Sequence, residues 1–245
     1  MDLLRKGIKM EESTLPLENE GKIKRRKLII GYYKYWVLLT YSSAISAIIG
    51  MYFALSGNIV LAMICLMVCG LCDMLDGPVA RRKKRSEREK SYGIQIDALA
   101  DLISFGVFPA VIGFAAGAGD LTQENVSLRL IICIAVAVFY VLAALIRLAY
   151  FNVIEAELQN RREKRKYYEG MPVTMASMLI PFVYSICLIL DTALASVYPV
   201  MLLIIAVLFL SKVKVPKLKL RYLIIFIPVG LAMLVFLVWS IGAGI

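Results

Sequence analysis

The chain has 245 residues, 60% of them hydrophobic, and a formal net charge of +10. Soluble domains are about 45–50% apolar and about 25% charged, so a chain that is only 19% charged, with a mean hydropathy of +0.77, is predicted to be an integral membrane protein. The complete absence of histidine excludes Ser-His-Asp hydrolases, phosphohistidine chemistry and His-ligated zinc sites.

Apolar runs long enough to cross a bilayer, which takes about 20 residues, follow one another along the chain. They cover residues 34–55, 59–75, 94–116, 128–154, 171–190, 193–211 and 222–243. This pattern predicts an all-α polytopic membrane protein. The polar N-terminus lacks the apolar stretch and cleavage site of a signal peptide, so residues 1–33 are expected to form a cytoplasmic tail or a surface segment.

The positive charges predict the orientation of the helices. Of the 28 Lys and Arg residues, all but Arg129 and Arg147 lie in four segments, at 1–36, 77–93, 155–170 and 212–221. Short basic loops stay on the cytoplasmic side. We therefore expect a protein of the cell membrane whose N-terminus lies in the cytoplasm and whose C-terminus lies outside. Such clusters act as topology determinants alone or also attract anionic lipid head groups. Scattered among membrane loops, they do not predict nucleic-acid binding.

Two pairs of aspartates lie where the second apolar run ends and the third begins. Asp73 and Asp76 are spaced i, i+3, and Asp97 and Asp101 are spaced i, i+4, so each pair shares one helix face. The two helices are antiparallel because a cytoplasmic loop joins them. Each pair lies about 10–12 Å along its helix from the loop. We therefore expect all four carboxylates to meet at one depth.

Such a cluster of carboxylates requires neutralisation. Each charge in the bilayer costs on the order of 2.5–3.5 kcal/mol even on the lenient insertion scale, and like charges repel one another. Oxygen ligands without histidine or cysteine suit Mg²⁺ or Mn²⁺. We expect the four aspartates to hold one or two such ions.

The residues around the aspartates match a known signature. The chain reads Asp73-Met-Leu-Asp76-Gly77-Pro-Val-Ala80-Arg81, then eleven residues, then Gly93-Ile-Gln-Ile-Asp97-Ala-Leu-Ala-Asp101. This pattern resembles the D-x-x-D-G-x-x-A-R and G-x-x-x-D-x-x-x-D motif of the CDP-alcohol phosphotransferase family. The family's spacer is usually shorter, and we expect the charged run over residues 82–90 to bulge into the cytosol as a longer loop.

The resemblance implies a six-helix membrane core, commonly a homodimer, that transfers a phosphatidyl-type group from a CDP-linked lipid to an alcohol and releases CMP. On this chain the core would cover residues 34–220, with residues 221–245 as an additional C-terminal transmembrane helix. The four aspartates would bind metal, and Asp101 would also be the general base. The CDP nucleotide would be bound by Asp73, Gly77, Ala80, Arg81 and Gly93.

The continuation Leu-Ile-Ser104-Phe105-Gly106-Val-Phe-Pro109 resembles the S-F-G-x-x-P extension of the phosphatidylserine synthase branch. This implies that CDP-diacylglycerol and L-serine are the substrates. Other acceptors (glycerol phosphate, inositol phosphate, choline) and an ether-linked CDP-lipid donor stay open. A phosphorylated acceptor would need more cations inside the spans than Arg147. From another class, a cation or proton transporter would also need acids in the membrane.

Three polar residues are candidates for substrate binding. Arg147 lies inside a span, where a cation needs an anion; this is the lipid phosphate, the serine carboxylate or one of the aspartates. Asn152 hydrogen-bonds the amino acid or helps to end its helix. Ser104 lines the site or only packs against a neighbouring helix.

Overall fold

A computed structural model of the chain describes residues 35–81, 86–118, 126–161, 167–212, 214–216 and 220–243, which belong to one structural unit. The helices are α1 (Tyr35–Leu55), α2 (Ile59–Arg81), α3 (Glu87–Asp101), a π-helical segment (Leu102–Val107), α4 (Phe108–Ala118), α5 (Val126–Arg161), a 3-10 turn (Val173–Met175), α6 (Ala176–Ile189), α7 (Leu194–Leu210) and α8 (Leu220–Ala243). The predicted N-terminal tail lies outside these residues, and the division of the chain at residue 220 stays a prediction.

Each of the predicted spans contains a helix, and α3, the π-helical segment and α4 follow one another without a break. In the described ranges, helices long and apolar enough to cross a membrane are Val37–Leu55, Ile59–Asp76, Arg88–Gly117 and Leu130–Glu157. Shorter apolar helices cover Val173–Ile189, Leu194–Leu210 and Pro228–Gly242. The chain is therefore an all-α polytopic integral membrane protein, as the sequence predicts.

Small residues allow the helices to approach one another closely. A Cβ atom at Gly50 of α1 would overlap Phe108, and one at Gly70 of α2 would overlap Ser177 of α6. Glycine at these positions lets the backbones pack, as is common between helices in membranes. The outer surface instead carries exposed apolar side chains, among them Leu38, Ile131, Val200 and Trp239. These side chains suit contact with lipid.

The charged segment between α2 and α3 departs from the prediction. The α2 helix continues to Arg81 and α3 already begins at Glu87, so residues 87–92 are helical rather than part of a loop. Ser86 starts α3 with a capping box: its hydroxyl accepts from the Glu89 N–H, and the Glu89 carboxylate accepts from the Ser86 N–H. The residues beyond the usual spacer length therefore lengthen the hairpin formed by α2 and α3. Residues 82–85 lie outside the described part of the chain.

Another correction concerns the end of α5. This helix continues to Arg161, beyond the predicted end of its span at residue 154. Asn152 therefore lies well inside the helix, and the interpretation that it helps to end the helix is wrong. Hydropathy marks where an apolar surface ends, whereas the charged residues that follow are themselves good helix formers.

A short antiparallel strand pair joins two of the basic segments and was not predicted. Strand β1 (Tyr167–Glu169) follows α5, and strand β2 (Lys214–Pro216) follows α7. Gly170 comes next with φ +71°, a conformation that glycine adopts readily. The N–H of Met171 then donates to the carbonyl of Leu208 at 3.4 Å. The chain after α5 is thereby attached to the end of α7.

Candidate active site

Three aspartates from two helices converge at one point. Asp73 lies on α2, and Asp97 and Asp101 lie one turn apart on α3. One carboxylate oxygen from each residue lies within 4.8 Å of the others, and all three side chains are half-buried. The predicted convergence is thus confirmed for Asp73, Asp97 and Asp101. The antiparallel hairpin produces it by placing both helix faces at the same level.

The fourth aspartate, Asp76, lies beside this cluster. It precedes Gly77 one turn after Asp73 on α2, and its Oδ2 accepts a bond from the Thr40 hydroxyl at 3.4 Å. Thr40 is buried on α1. Thus α1 orients one of the acids, a role that the sequence analysis missed. The readable signal was the spacing of Thr40, Ser43 and Ser46, which places three hydroxyls along one face of a mainly apolar helix.

The donor set fits a divalent cation. The converging atoms are carboxylate oxygens, which suit Mg²⁺ or Mn²⁺. Cys69 is not one of the converging residues: its buried thiol donates to the backbone carbonyl of Ser43 at 3.3 Å. Several half-buried carboxylates this close together are stable as anions only beside positive charge. The arrangement can therefore bind a cation and, through it, the phosphates of a nucleotide.

The residues predicted to contact the nucleotide extend along the same two helices. Gly77, Ala80 and Arg81 occupy the last turns of α2, and Gly93 lies one turn before Asp97 on α3. Both stretches continue from the acids toward the hairpin's connecting segment. The side chains at positions 77–81 lie outside the described part of the chain. The predicted nucleotide-contacting residues are thus on adjoining turns next to the carboxylates.

Ser104 lies just beyond Asp101 and is fully buried. Its hydroxyl is 3.1 Å from the Ser43 hydroxyl, with which it shares a hydrogen bond. The neighbouring Phe105 carbonyl accepts a bond of 2.7 Å from the Tyr140 hydroxyl on α5. This location favours the helix-packing interpretation of Ser104 over direct contact with substrate.

Arg147 is buried on α5, with only 5% of its surface exposed. Its guanidinium donates to the carbonyls of Phe209 at 3.2 Å and Gly170 at 3.5 Å, and lies 4.4 Å from the centre of the Phe151 ring. The Phe209 carbonyl belongs to the last turn of α7, where a cation is favoured by the helix dipole. Sequence reasoning looked for an anion and missed these carbonyls. Asn152 is half-buried on the same helix.

Comparison with known proteins identifies the family. The family model described as CDP-alcohol phosphatidyltransferase matches residues 37–243. The chain belongs to this family. The matched range contains both aspartate pairs and every described helix except the first two residues of α1. The carboxylate cluster is therefore part of a CDP-alcohol phosphatidyltransferase, and the predicted family is confirmed.

Several curated proteins are similar to this CDP-alcohol phosphatidyltransferase. The CDP-diacylglycerol–serine O-phosphatidyltransferase of Saccharomyces cerevisiae is 42% identical over 118 residues, which cover 46% of this chain and 38% of that protein. Archaetidylserine synthase of Methanothermobacter thermautotrophicus is 28% identical over 180 residues, 74% of this chain and 68% of the relative. The CDP-diacylglycerol–serine O-phosphatidyltransferase of Bacillus subtilis is 26% identical over 189 residues, 74% and 89% of the two chains.

Proposed function

We propose that this chain transfers the phosphatidyl group of CDP-diacylglycerol to the hydroxyl of L-serine, giving phosphatidylserine and CMP. The observation that carries this proposal is the cluster of Asp73, Asp97 and Asp101, whose oxygens lie within 4.8 Å of one another inside the family's motif. The names of the relatives, which include two serine transferases, support the acceptor.

The proposed metal ligands are Asp73, Asp76, Asp97 and Asp101, which would hold one or two Mg²⁺ or Mn²⁺ ions. Bound divalent cations neutralise charge on phosphate oxygens during phosphoryl transfer. Next to these ligands, the helix turns with Gly77, Ala80, Arg81 and Gly93 are proposed to bind the cytidine nucleotide. Small residues there would let the nucleotide approach the backbone closely.

Asp101 is the proposed general base. Its carboxylate would take the proton from the serine hydroxyl, because a positioned carboxylate within reach of a hydroxyl can accept its proton. The serine oxygen then bonds to the phosphorus that carries the diacylglycerol. The bond from this phosphorus to the bridging oxygen breaks, and CMP leaves with the electron pair. Asp101 belongs to the cluster and also precedes a closely held helix segment, which suits a residue that must be oriented.

The amino acid is proposed to bind along α5. Arg147 would attract the serine carboxylate or the lipid phosphate while the carbonyls of Phe209 and Gly170 orient it. A guanidinium has five N–H donors and can hold two carbonyls and an anion together. Asn152 is proposed to hydrogen-bond the amino acid. Ser104 would contribute through packing.

The site is proposed to face the cytoplasm, with the N-terminus on the same side. The enzyme is also proposed to work as a homodimer. The basic segments support this orientation, since Lys- and Arg-rich loops stay on the cytoplasmic side. L-serine would then reach the carboxylates from the water and CDP-diacylglycerol from the bilayer. Membrane lipids would surround the exposed apolar side chains.

The test is CMP release by the purified protein. The protein is incubated with CDP-diacylglycerol, Mg²⁺ or Mn²⁺, and in turn L-serine, glycerol phosphate, inositol phosphate or choline. We expect serine-dependent CMP release that EDTA abolishes and added metal restores. CMP release only with another alcohol would contradict the acceptor, and full activity in excess EDTA would contradict the metal site.

A second donor is worth testing in the same assay, because one relative is named archaetidylserine synthase. Faster CMP release from an ether-linked CDP-lipid than from CDP-diacylglycerol would reassign the donor and leave the chemistry unchanged. If no CMP is released from either lipid, cation flux through the protein in liposomes would support a transporter instead.

A further inference from the structure

The helix that carries Asp101 changes its hydrogen-bond pattern directly after this residue. Residues Leu102–Val107 are π-helical, and the N–H of Phe108 donates to the carbonyl of Ile103 five residues earlier. π-helical segments are rare, occur mostly as single turns inside α-helices, and are frequent at functional sites. The turn between α3 and α4, next to the proposed base, therefore departs from the regular α-helical pattern on either side of it.

Pro109 removes a hydrogen-bond donor from the same place. In a regular α-helix the Phe105 carbonyl would accept from the N–H of residue 109, but proline has no N–H. An unsatisfied carbonyl is costly in a membrane. The hydroxyl of Tyr140, a fully buried residue on α5, donates to the Phe105 carbonyl at 2.7 Å. Tyr140 thus supplies the bond that Pro109 cannot make.

The π-helical segment is held from two sides. On one side Ser104 shares its hydrogen bond with Ser43 of α1. On the other side Gly106 lies against α5, where an added Cβ would be 3.3 Å from the Cβ of Ala144, one turn beyond Tyr140. These contacts leave little room for the segment to move while the Tyr140 bond is present.

From this geometry we infer that Tyr140 is a positioning residue for Asp101. Its hydroxyl fixes the turn that begins at Asp101, and so directs the Asp101 carboxylate toward Asp73 and Asp97. The inference rests on the proposed function, in which Asp101 is the base and a metal ligand. Without the hydroxyl, the Phe105 carbonyl loses this donor, and we expect the turn to rearrange.

Tyr198 on α7 provides a matched control, because its hydroxyl also bonds a backbone carbonyl of the helix that follows Asp101. It is also fully buried, and its hydroxyl donates to the Pro109 carbonyl at 2.9 Å. Pro109 lies two turns beyond Asp101 and outside the π-helical segment. Tyr140→Phe and Tyr198→Phe therefore remove the same chemical group at equal burial but at different distances from the site. Tyr140→Phe also keeps the ring that packs against Phe209.

The kinetic test compares these variants in the CMP-release assay. Tyr140→Phe is expected to lower kcat about tenfold or more, because a small misplacement of a reacting group is costly, with KM for CDP-diacylglycerol within about twofold of wild type. Tyr198→Phe is expected to keep kcat within about twofold. Pro109→Ala returns the missing N–H, so kcat of the Pro109→Ala/Tyr140→Phe double variant should recover relative to Tyr140→Phe. Equal losses in both tyrosine variants, or no recovery, would overturn the inference.

Mn²⁺ binding, measured by electron paramagnetic resonance without substrate, gives a readout independent of turnover. Tyr140→Phe should weaken Mn²⁺ affinity by about tenfold, as is typical when a residue that orients a ligand is changed, while Tyr198→Phe should not. If wild type binds Mn²⁺ but releases no CMP, the proposed function fails and this comparison still decides the role of Tyr140. If Tyr140→Phe does not fold, the double variant must restore folding and Mn²⁺ affinity. Unchanged affinity in Tyr140→Phe would refute the inference.

Discussion

Asp101→Asn should make the metal-free protein more stable and should reduce the stabilisation that added metal gives. The Asp101 oxygen lies within 4.8 Å of oxygens from Asp73 and Asp97, and two unit charges at that distance repel by about 3.5 kcal/mol at an effective dielectric constant of about 20. Protons and counter-ions relieve most of this repulsion in the metal-free protein. We therefore expect a net gain of roughly 1–2 kcal/mol, or a rise of about 2–8 °C in the unfolding midpoint.

Metal should cancel this advantage. At a hundred times the dissociation constant, a bound ion stabilises the wild type by about 2.7 kcal/mol. A variant with about tenfold weaker affinity gains only about 1.4 kcal/mol at the same concentration. Turnover of Asp101→Asn should also fall by about 10²–10⁴-fold if the carboxylate is the base.

The assay is thermal unfolding in detergent with EDTA and with excess Mg²⁺, alongside single-turnover CMP release. Asp191→Asn is the matched control, because Asp191 is exposed in the turn between α6 and α7, away from the cluster. Its φ of +50° is also tolerated by asparagine. Equal midpoints for Asp101→Asn and wild type in EDTA, or equal stabilisation of both by metal, would refute the charged cluster. Near-normal turnover would refute the base.

Three further outcomes test other parts of the structure. Asp73→Asn should weaken Mn²⁺ and CDP-lipid binding together, and tight lipid binding without metal binding in equilibrium assays would contradict this. Gly170→Ala should lower the unfolding midpoint, because an added Cβ would lie 2.5 Å from the Ser211 carbonyl oxygen at a positive φ; an unchanged midpoint would argue against this packing. In a cysteine-free variant, membrane-impermeant reagents should label a cysteine at Arg85 from the cytoplasmic side and one at Asp120 from outside. Labelling of both from one side would contradict the antiparallel orientation.

Hydropathy predicted where the helices lie but misplaced several of their ends. The prediction ended the second span at residue 75 and started the third at 94, whereas the helices reach Arg81 and begin at Glu87. Lys, Arg and Glu form helices well, so a charged stretch need not be a loop. The capping box at Ser86 and Glu89 was a readable signal for the start of α3.

The site was predictable as far as residue spacing determines it. The i, i+3 and i, i+4 spacing brought the aspartates to one level, because both helices are regular as far as Asp101. The partners of Arg147 and of the Phe105 carbonyl were not predictable, since they depend on which helices pack against α5. The strand pair after α5 and α7 also lacked a signal, because each strand has only three residues and forms through a distant partner.

The capped start of α3 has a consequence for how chains of this type can differ in length. Glu87 lies ten residues before Asp97, or about 15 Å along the helix. Residues inserted ahead of Ser86 extend the tip of the hairpin, while the distance from the cap to the carboxylates stays constant. The charged tip of the hairpin can therefore gain or lose residues during evolution while the positions of the carboxylates stay the same. Added residues there could make new regulatory or lipid contacts.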